Sequence, residues 1–365
     1  MIRIVLAAAV SVAALTAGQA LADIRIAVAG PMSGALAAYG TQLRQGAEAA
    51  AAAINQAGGI NGEKIAIVIE DDACEPKQAV AVAHRIVAAG VKLVAGHFCS
   101  GSTLPASDVY AEAGIVELTV STSPRITERG LPYLFRLTGR DDQQGPLAAQ
   151  FIAKRFAGQP TAVLDDKSPF GAGLARLVKE DLTRAGQPIA FIGAVNAGEK
   201  DYTALVSHLK AAKVRVLFFG GYHAEAGLIL RQADAAGLDL IVVGGDGLQN
   251  SDLPAIAGPL ADRVYFTFSP DATRIPAAAT VVRGLGEQGI TAEGYTLYAY
   301  AQVQVLAEGV RRAGGQNGAA VAKALRSAPV PSIVGDIAFD AKGDNSAPGY
   351  VLYRWAGGKT EAVTD

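Results

Sequence analysis

Short apolar runs alternate with longer amphipathic stretches along most of this chain, starting near residue 24. A short apolar run bounded by turn residues is typical of a buried strand, and an apolar repeat at every third or fourth position indicates a helix. The predicted strands are residues 24–29, 64–70, 91–95, 115–118, 161–164, 189–194, 214–219, 241–243 and 264–268. The predicted helices are residues 39–56, 76–89, a segment between 95 and 115, 174–185, 203–212, 224–236, 277–288, 293–313 and 319–327. This order predicts an α/β protein in which helices cover both faces of parallel sheets.

The strand–helix pattern is interrupted at residues 131–139 and then restarts, which predicts two lobes. Extended segments between them are the predicted crossings: residues 137–143, 268–271 and 348–352. The lobe boundaries that follow are residues 23–140 with 270–349 for the first lobe, and 141–269 with 350–365 for the second. Ligands bind beyond the carboxyl ends of such strands, so the cleft between the lobes is the expected site.

The end of the chain departs from this alternation. Residues 337–339 and 350–355 are short apolar segments that flank a turn-rich stretch. Two such segments around a turn predict a late β-hairpin.

The first 22 residues have the features of a secretory signal peptide. Arg3 precedes an apolar run over residues 4–17, and Ala20-Leu21-Ala22 forms an A-x-A cleavage site before Asp23. The apolar run is shorter than the roughly 18 residues that a membrane span needs. The sequence therefore predicts cleavage and export, and the A-x-A end favours the bacterial periplasm.

Composition and charge limit the kinds of partner that the chain is expected to bind. It has 365 residues, of which 50% are hydrophobic, and a formal net charge of −2. The near-neutral charge argues against nucleic acid or an anionic membrane as partner. Cys74 and Cys99 each follow a predicted strand. In an oxidising compartment such a pair is more often bridged than free, with two unpaired buried thiols as the alternative.

Two hydroxyl-rich turns, residues 96–103 and 119–124, carry the clearest chemical signal. Each follows a predicted strand, where a helix start offers free N–H groups and the positive end of its dipole. Two adjacent starts of this kind predict a site for a small anion, most simply a carboxylate. No nucleophile–base pair, metal-ligand spacing or phosphate-binding motif accompanies them in the sequence, so we expect a binding protein without cofactor or metal rather than an enzyme.

A set of motifs between residues 30 and 223 connects the chain to a known family, and the resemblance extends over essentially all of residues 24–355. They are GPMSG at 30–34, AGGING at 57–62, DDACEPKQA at 71–79, GHFCS at 96–100, AGEKDY at 197–202 and GGYH at 220–223. Through them the chain resembles the periplasmic leucine/isoleucine/valine-binding proteins of ABC transporters, type I solute-binding proteins with a Venus-flytrap fold. The resemblance implies two lobes joined by three crossings and a ligand held between them.

The resemblance also assigns residues to the carboxylate of an amino-acid ligand. The matching positions are Ser100 and Thr122, and the residue before the threonine offers a carbonyl to the α-ammonium. The turn is one residue shorter here than in the relatives, so Val120 or Ser121 could fill that place.

Residues of the second lobe are expected to bind the ammonium end of the ligand. Asp246 takes the position that pairs with the ammonium, and Tyr222 adds a polar contact. The resemblance implies that the side-chain pocket is lined by Tyr39, Phe98, Cys99, Phe170 and Tyr295. It also implies a disulfide between Cys74 and Cys99. The best-known members have glutamate in place of Asp246 and tyrosine in place of Phe170.

These assignments imply a monomeric receptor of an ABC importer. It would bind a small neutral amino acid, branched-chain or otherwise aliphatic, close on it and deliver it to inner-membrane permease subunits. Two alternatives stay open. One is a different acid, such as a γ-aminobutyrate-like or an aromatic acid, and the other is a ligand-sensing receptor outside transport.

Overall fold

The computed structural model describes residues 24–347 and 349–364, and the predicted signal peptide lies outside these residues. The strands of the first sheet are β1 (Ile24–Gly30), β2 (Ile65–Asp71), β3 (Leu93–Gly96), β4 (Val116–Thr119) and β5 (Leu134–Arg136). The strands of the second are β6 (Thr161–Asp165), β7 (Ile189–Ala194), β8 (Val216–Gly220), β9 (Ile241–Gly244), β10 (Val264–Phe268), β11 (Val351–Ala356) and β12 (Lys359–Ala362).

The helices are α1 (Ala37–Gln56), α2 (Pro76–Ala88), α3 (Ser100–Glu112), α4 (Asp141–Arg155), α5 (Pro169–Arg184), α6 (Thr203–Ala211), α7 (His223–Ala235), α8 (Asp252–Ala257), α9 (Ala279–Glu287), α10 (Thr296–Ala313) and α11 (Gly318–Ser327). None of the helices within the described ranges is long and apolar enough to cross a membrane.

The first sheet is parallel throughout, in the order β2-β1-β3-β4-β5. Alternate residues of β1 belong to different cores, because successive side chains of a strand point to opposite faces. Ile26 and Val28 join the core that includes α1 and α10, whereas Ala27 and Ala29 join the core with α2 and α3. The α/β fold class with helices on both faces is confirmed.

Close packing of α1 on α10 depends on one glycine. A Cβ at Gly46 would lie 2.0 Å from the backbone oxygen of Thr296. Only glycine allows the two helices to approach this closely. The contact fixes α10, and with it Tyr295 at the start of that helix, against the first sheet.

The second sheet is mixed, in the order β12-β11-β10-β9-β8-β6-β7. Strands β6 to β10 are parallel, whereas β11 is antiparallel to both β10 and β12. The prediction of a hairpin between residues 337–339 and 350–355 is wrong. Ile337 and Phe339 form only isolated bridges near β5, and the later segment joins the other sheet.

Two further elements differ from prediction because glycine and proline lie inside helices. Residues 137–143 were expected to be extended, but α4 begins at Asp141 and continues through Gly145 and Pro146. Helix α5 begins at Pro169 rather than at residue 174, with the Ser168 hydroxyl accepting a hydrogen bond from the Gly171 N–H. Strand β5 was not predicted as a separate strand.

Candidate ligand-binding site

A small cavity of about 10 Å³ lies where the carboxyl ends of the two sheets face each other. Its lining residues are Phe98, Ser100, Val120, Ser121, Thr122, Phe170, Tyr222, Asp246, Gly247 and Tyr295. The structure thus brings together nine of the eleven residues proposed from sequence. Tyr39 and Cys99 lie outside this lining, and Gly247 is an addition.

The two hydroxyl-rich turns meet at one side of the cavity. Ser100 is the first residue of α3, and its hydroxyl accepts a hydrogen bond from the Ser123 N–H at 3.3 Å. Thr122 lies beside it in the loop after β4, and both side chains are buried. Because the first N–H groups of a helix have no intrahelical partner, this corner can receive an anionic oxygen.

The hydroxyl of Ser121 is engaged within the first-sheet side of the cavity. It donates to the backbone oxygen of Phe98 at 2.7 Å and lies 2.7 Å from the Thr103 hydroxyl. A second contact of 3.1 Å joins it to the backbone oxygen of His97. These bonds tie the turn after β3 to the turn after β4.

The backbone oxygens of Val120 and Ser121 have different surroundings. Val120 O accepts a hydrogen bond from the neutral Thr138 hydroxyl at 2.9 Å. Ser121 O accepts one at 2.8 Å from the guanidinium of Arg136, a fully buried residue that also pairs with Asp344 at 2.7 Å. Ser121 O therefore already accepts from a cationic group, whereas Val120 O accepts from a neutral one.

Asp246 supplies the carboxylate on the opposite side. It follows β9 in the turn Asp246–Leu248 and is 6% exposed. Its Oδ1 accepts a hydrogen bond from Gln144 Nε2 at 2.9 Å, and its Oδ2 accepts one from the Tyr295 hydroxyl. Burial raises the pKa of Asp246, and the two hydrogen bonds oppose that rise.

Aromatic rings form the remaining wall. The ring centroids of Phe170 and Tyr222 are 5.3 Å apart, and those of Phe98 and Tyr295 are 5.0 Å apart with the rings nearly perpendicular. Tyr222 lies just before α7, and its hydroxyl donates toward Cys99 Sγ at 3.4 Å. The wall is apolar in its rings and polar only at its tyrosine hydroxyls.

Tyr39 lies behind this wall. Its ring stacks on Phe98 at 4.6 Å, and its hydroxyl donates to the backbone oxygen of Gly247 at 2.7 Å. His223 Nδ1 lies 3.1 Å from the same hydroxyl. Tyr39 therefore supports Phe98 and links α1 to the turn of Asp246.

Cys99 has a structural role beside the cavity. It is bonded to Cys74 with their Cα atoms 5.5 Å apart, an ordinary separation for a disulfide. The predicted disulfide is thus confirmed, and it fixes the turn immediately before Ser100.

Sequence reasoning missed Gln144 and Thr267, which hold Asp246 in place. Gln144 Oε1 accepts from the Asp246 N–H at 3.2 Å and from the Thr267 hydroxyl at 2.8 Å. A signal existed in the polar run Asp141–Gln144 after the first crossing, but nothing in it pointed to a residue 102 positions away. Over the described ranges, no group of three or more His, Cys, Asp or Glu side chains could hold a metal ion.

Two α/β units whose strand ends face a buried cavity, with hydroxyl groups on one side and a carboxylate on the other, have the architecture of a solute-binding receptor. A family model described as periplasmic binding protein matches residues 23–359, and the chain belongs to this family.

Relatives agree with this assignment. The chain is 46% identical over 343 residues to "Leu/Ile/Val-binding protein homolog 1" of Brucella suis biovar 1, covering 93% of this chain and 92% of that protein. It is 45% identical over 355 residues to an "Amino acid binding protein" of Pseudomonas aeruginosa, covering 96% and 95%. The solved structure of the branched-chain amino acid transporter substrate binding protein LivJ from Streptococcus pneumoniae, in complex with isoleucine, has a TM-score of 0.85 and 26% identity, covering 94% of this chain and 99% of that chain. The type I periplasmic binding protein fold is therefore confirmed.

Proposed function

We propose that this protein is the extracytoplasmic receptor of an ABC importer and that it binds a small neutral, aliphatic amino acid between its lobes. One observation carries the proposal: hydroxyl groups at a helix start and a buried carboxylate face each other across a small cavity with an aromatic wall. This arrangement complements the two charges and the apolar side chain of an α-amino acid. Relatives named for leucine, isoleucine and valine support the same class of ligand.

The carboxylate of the ligand binds at the start of α3. Ser100 and Thr122 present hydroxyl donors there, next to the free N–H groups of the helix. Hydrogen bonds to a charged group contribute about 1.5–3 kcal/mol each. Ser121 contributes its position and not its hydroxyl, because that hydroxyl bonds to Phe98 O.

The ammonium binds between Asp246 and the backbone oxygen of Val120. Asp246 supplies the negative charge, and Val120 O is the better of the two carbonyl candidates because Ser121 O already faces Arg136. Tyr222 adds a polar contact beside them. An acid without an amino group would leave the buried Asp246 carboxylate without a cation, which disfavours an aromatic acid as ligand.

Aromatic rings limit the size of the ligand side chain. The cavity of about 10 Å³ has room for about one water molecule, so an amino acid enters only when the two sides separate. Phe98, Phe170 and Tyr295 restrict the space with aromatic rings. Because one methylene in such a pocket changes affinity only modestly, several small aliphatic amino acids should bind.

Closure of two lobes on the ligand follows from this division of contacts. The proposed lobes are residues 23–140 with 270–349 and residues 141–269 with 350–365. A ligand that bridges them stabilises the closed arrangement, because only that arrangement provides both sets of contacts. Permease subunits in the inner membrane would recognise the closed form of the monomer, which is exported to the periplasm through a cleavable signal peptide, residues 1–22. The receptor binds its ligand without chemical change.

A calorimetric titration tests the ligand class. We expect L-leucine, L-valine or L-alanine to bind the purified mature protein, and benzoate not to bind. Binding of benzoate with no response to any amine-bearing ligand would overturn the proposal. Binding of γ-aminobutyrate alone would move the ligand to ω-amino acids.

Asp246→Asn tests the ammonium contact. The variant keeps the shape of the side chain and removes its charge, so affinity should fall roughly 10- to 150-fold, which corresponds to about 1.5–3 kcal/mol. Glu180→Gln is a matched control, since Glu180 is an exposed acid paired with Arg176 on the same helix. Equal affinity in the wild type and in Asp246→Asn would remove Asp246 from the site.

A further inference from the structure

The strongest unused feature is a second buried carboxylate beside Asp246. We infer that Asp141 and Asp246 form a carboxylate pair bridged by Gln144, that the pair shares one proton in the absence of ligand, and that an amino-acid ligand displaces this proton as it binds. The inference rests on the proposed function and adds proton release to it.

One amide group joins the two acids. Gln144 Nε2 donates to Asp141 Oδ1 at 2.7 Å and to Asp246 Oδ1 at 2.9 Å. The orientation of this amide is fixed because its oxygen accepts from the Thr267 hydroxyl and the Asp246 N–H. Both carboxylates therefore accept hydrogen bonds from the same NH₂ group, which holds them close to each other.

Asp141 is deeply buried and incompletely satisfied. It is fully buried, and its Oδ2 has no hydrogen-bond partner among the described residues. A buried acceptor without a partner is destabilising, and more so when it carries charge. A proton on the pair removes one of the two charges.

A backbone hydrogen bond connects Asp141 to the proposed ligand site. The Asp141 N–H donates to the backbone oxygen of Thr122 at 2.9 Å. Thr122 and Asp246 both line the cavity, whereas Asp141 does not. Asp141 is therefore separated from the proposed position of the zwitterion by these two residues. A cation bound at Asp246 is thereby close enough to stabilise a negative charge on Asp141 as well.

The charged and titratable groups around Asp141 and Asp246 do not balance the negative charge of two ionised carboxylates. Those that act on Asp141 and Asp246 are Arg136, Tyr39, Tyr222, Tyr295 and Tyr350. Arg136 is the one cation in this set, and it is already paired with Asp344. Arg140, the next cation along the chain, contacts Asp344, Asp142 and Glu128.

The pKa of Asp141 agrees with this picture. Burial, and next the charge of Asp246, raise it to about 7, while Thr122, Gln144 and Arg136 oppose the rise. Like charges that share a buried site separate their titrations in this way, and the titration belongs to the pair.

The sign of the pH dependence follows directly. Near and below neutral pH the free pair holds a proton, and the ligand's ammonium lowers its pKa. Between the pKa of the complex and that of the free protein, each bound ligand releases up to one proton. Affinity then rises with pH by up to about tenfold per pH unit, and it levels off above the pKa of the free pair.

Calorimetry in buffers of different ionisation enthalpy measures this release. The probe is whichever of L-leucine, L-alanine or γ-aminobutyrate binds tightest to the full mature chain. At pH 6 we expect release of about half to one proton, falling toward zero at pH 8.5, with affinity at pH 7.5 roughly tenfold above that at pH 5.5. Tight binding with no proton release at pH 6 would overturn the inference and leave the proposed function intact.

Variants assign the proton to the pair. Asp141→Asn should bind the probe with proton release and pH dependence largely abolished. Asp142→Asn is the matched control, because the neighbouring Asp142 is partly exposed and paired with Arg140, and it should behave as wild type. Asp166→Asn tests a rival group, since burial raises the pKa of Asp166 to about 6 and it acts on Tyr222 from the other side.

Loss of proton release in Asp166→Asn, with retention in Asp141→Asn, would contradict the assignment. If Asp141→Asn does not fold, carbon-13 NMR titration of the wild-type aspartate carboxyl groups gives the same decision. A carboxyl signal of Asp141 or Asp246 that titrates near neutral pH in free protein, and moves to lower pH with ligand, supports the pair. A signal for neither residue in that range would contradict it.

Discussion

The polar groups on the two sides of the cleft are held in place by different parts of the molecule. On the first-sheet side, Ser121 binds Phe98 O, Arg136 binds Ser121 O, and a disulfide anchors Cys99. All of these partners belong to the same side. The turns that would receive a carboxylate are therefore held mainly from their own side, with one added bond from α4, between the Asp141 N–H and Thr122 O.

Asp246 on the second-sheet side is held partly from across the cleft. Gln144 holds one carboxylate oxygen from α4, which packs on the second sheet. The other oxygen accepts from Tyr295, at the start of the helix α10 that packs on α1. The difference indicates that the proposed carboxylate site at Ser100 and Thr122, the anion corner, is formed before the two sides meet. The proposed ammonium site at Asp246, the cation corner, is completed only when they meet.

Removing the disulfide should give the largest change in stability. Cys74 and Cys99 are 25 residues apart, and a loop of this length corresponds to about 3 kcal/mol in the chain-entropy account. The double change Cys74→Ser with Cys99→Ser should lower the free energy of unfolding by this order, as measured in urea. Wild type under reducing conditions is the control. A loss below about 1 kcal/mol would mean that the first-sheet turns hold their shape without the bond.

Substitutions of Ser121 and Thr122 should affect different properties: the first should lower stability and the second should lower ligand affinity. Ser121→Ala removes the donor to Phe98 O and should lower the free energy of unfolding by about 1–3 kcal/mol, with a small change in affinity. Thr122→Val should do the reverse, with affinity falling on the order of tenfold and the melting temperature little changed. Titration calorimetry and thermal melts of both variants decide the matter. The opposite pattern would exchange the roles of the two residues.

Tyr295→Phe should give the smallest effect and act on the cation corner. It removes the hydroxyl that binds Asp246 across the cleft, so the free protein should open more and bind its ligand roughly three- to tenfold more weakly. Small-angle scattering should show a larger radius of gyration for the free variant than for free wild type. Tyr300→Phe, on the same helix but outside the cavity lining, is the control. Equal radii for both variants and wild type would argue that closure does not depend on this contact.

Sequence was a good guide wherever the signal was local. The turns after β3 and β4 were predicted because hydroxyl residues directly follow a strand. The disulfide was predicted because an oxidising compartment favours a bridged pair and because the family resemblance implies it. Helix α4 was hidden by Gly145 and Pro146, which lie in its second turn and disfavour a helix by their local propensity. The late hairpin was wrong because local pattern does not reveal which sheet a strand will join.

Long-range contacts explain what the sequence could not reveal at the site. Tyr295 is 49 residues from Asp246, and Gln144 is 102 residues from it. Tyr295 was expected to act through its ring, and its hydroxyl contact became evident only once α10 was placed against α1. The position of Tyr39 behind Phe98 likewise depends on stacking between distant segments.

A crystal structure with the tightest-binding L-amino acid is the most direct test of a cleft whose two sides bind opposite ends of a zwitterion. We expect the ligand carboxylate within hydrogen-bond distance of Ser100 and Thr122, and the ammonium within hydrogen-bond distance of Asp246 and Val120 O. A ligand bound in the reverse orientation, or outside this cavity, would contradict it.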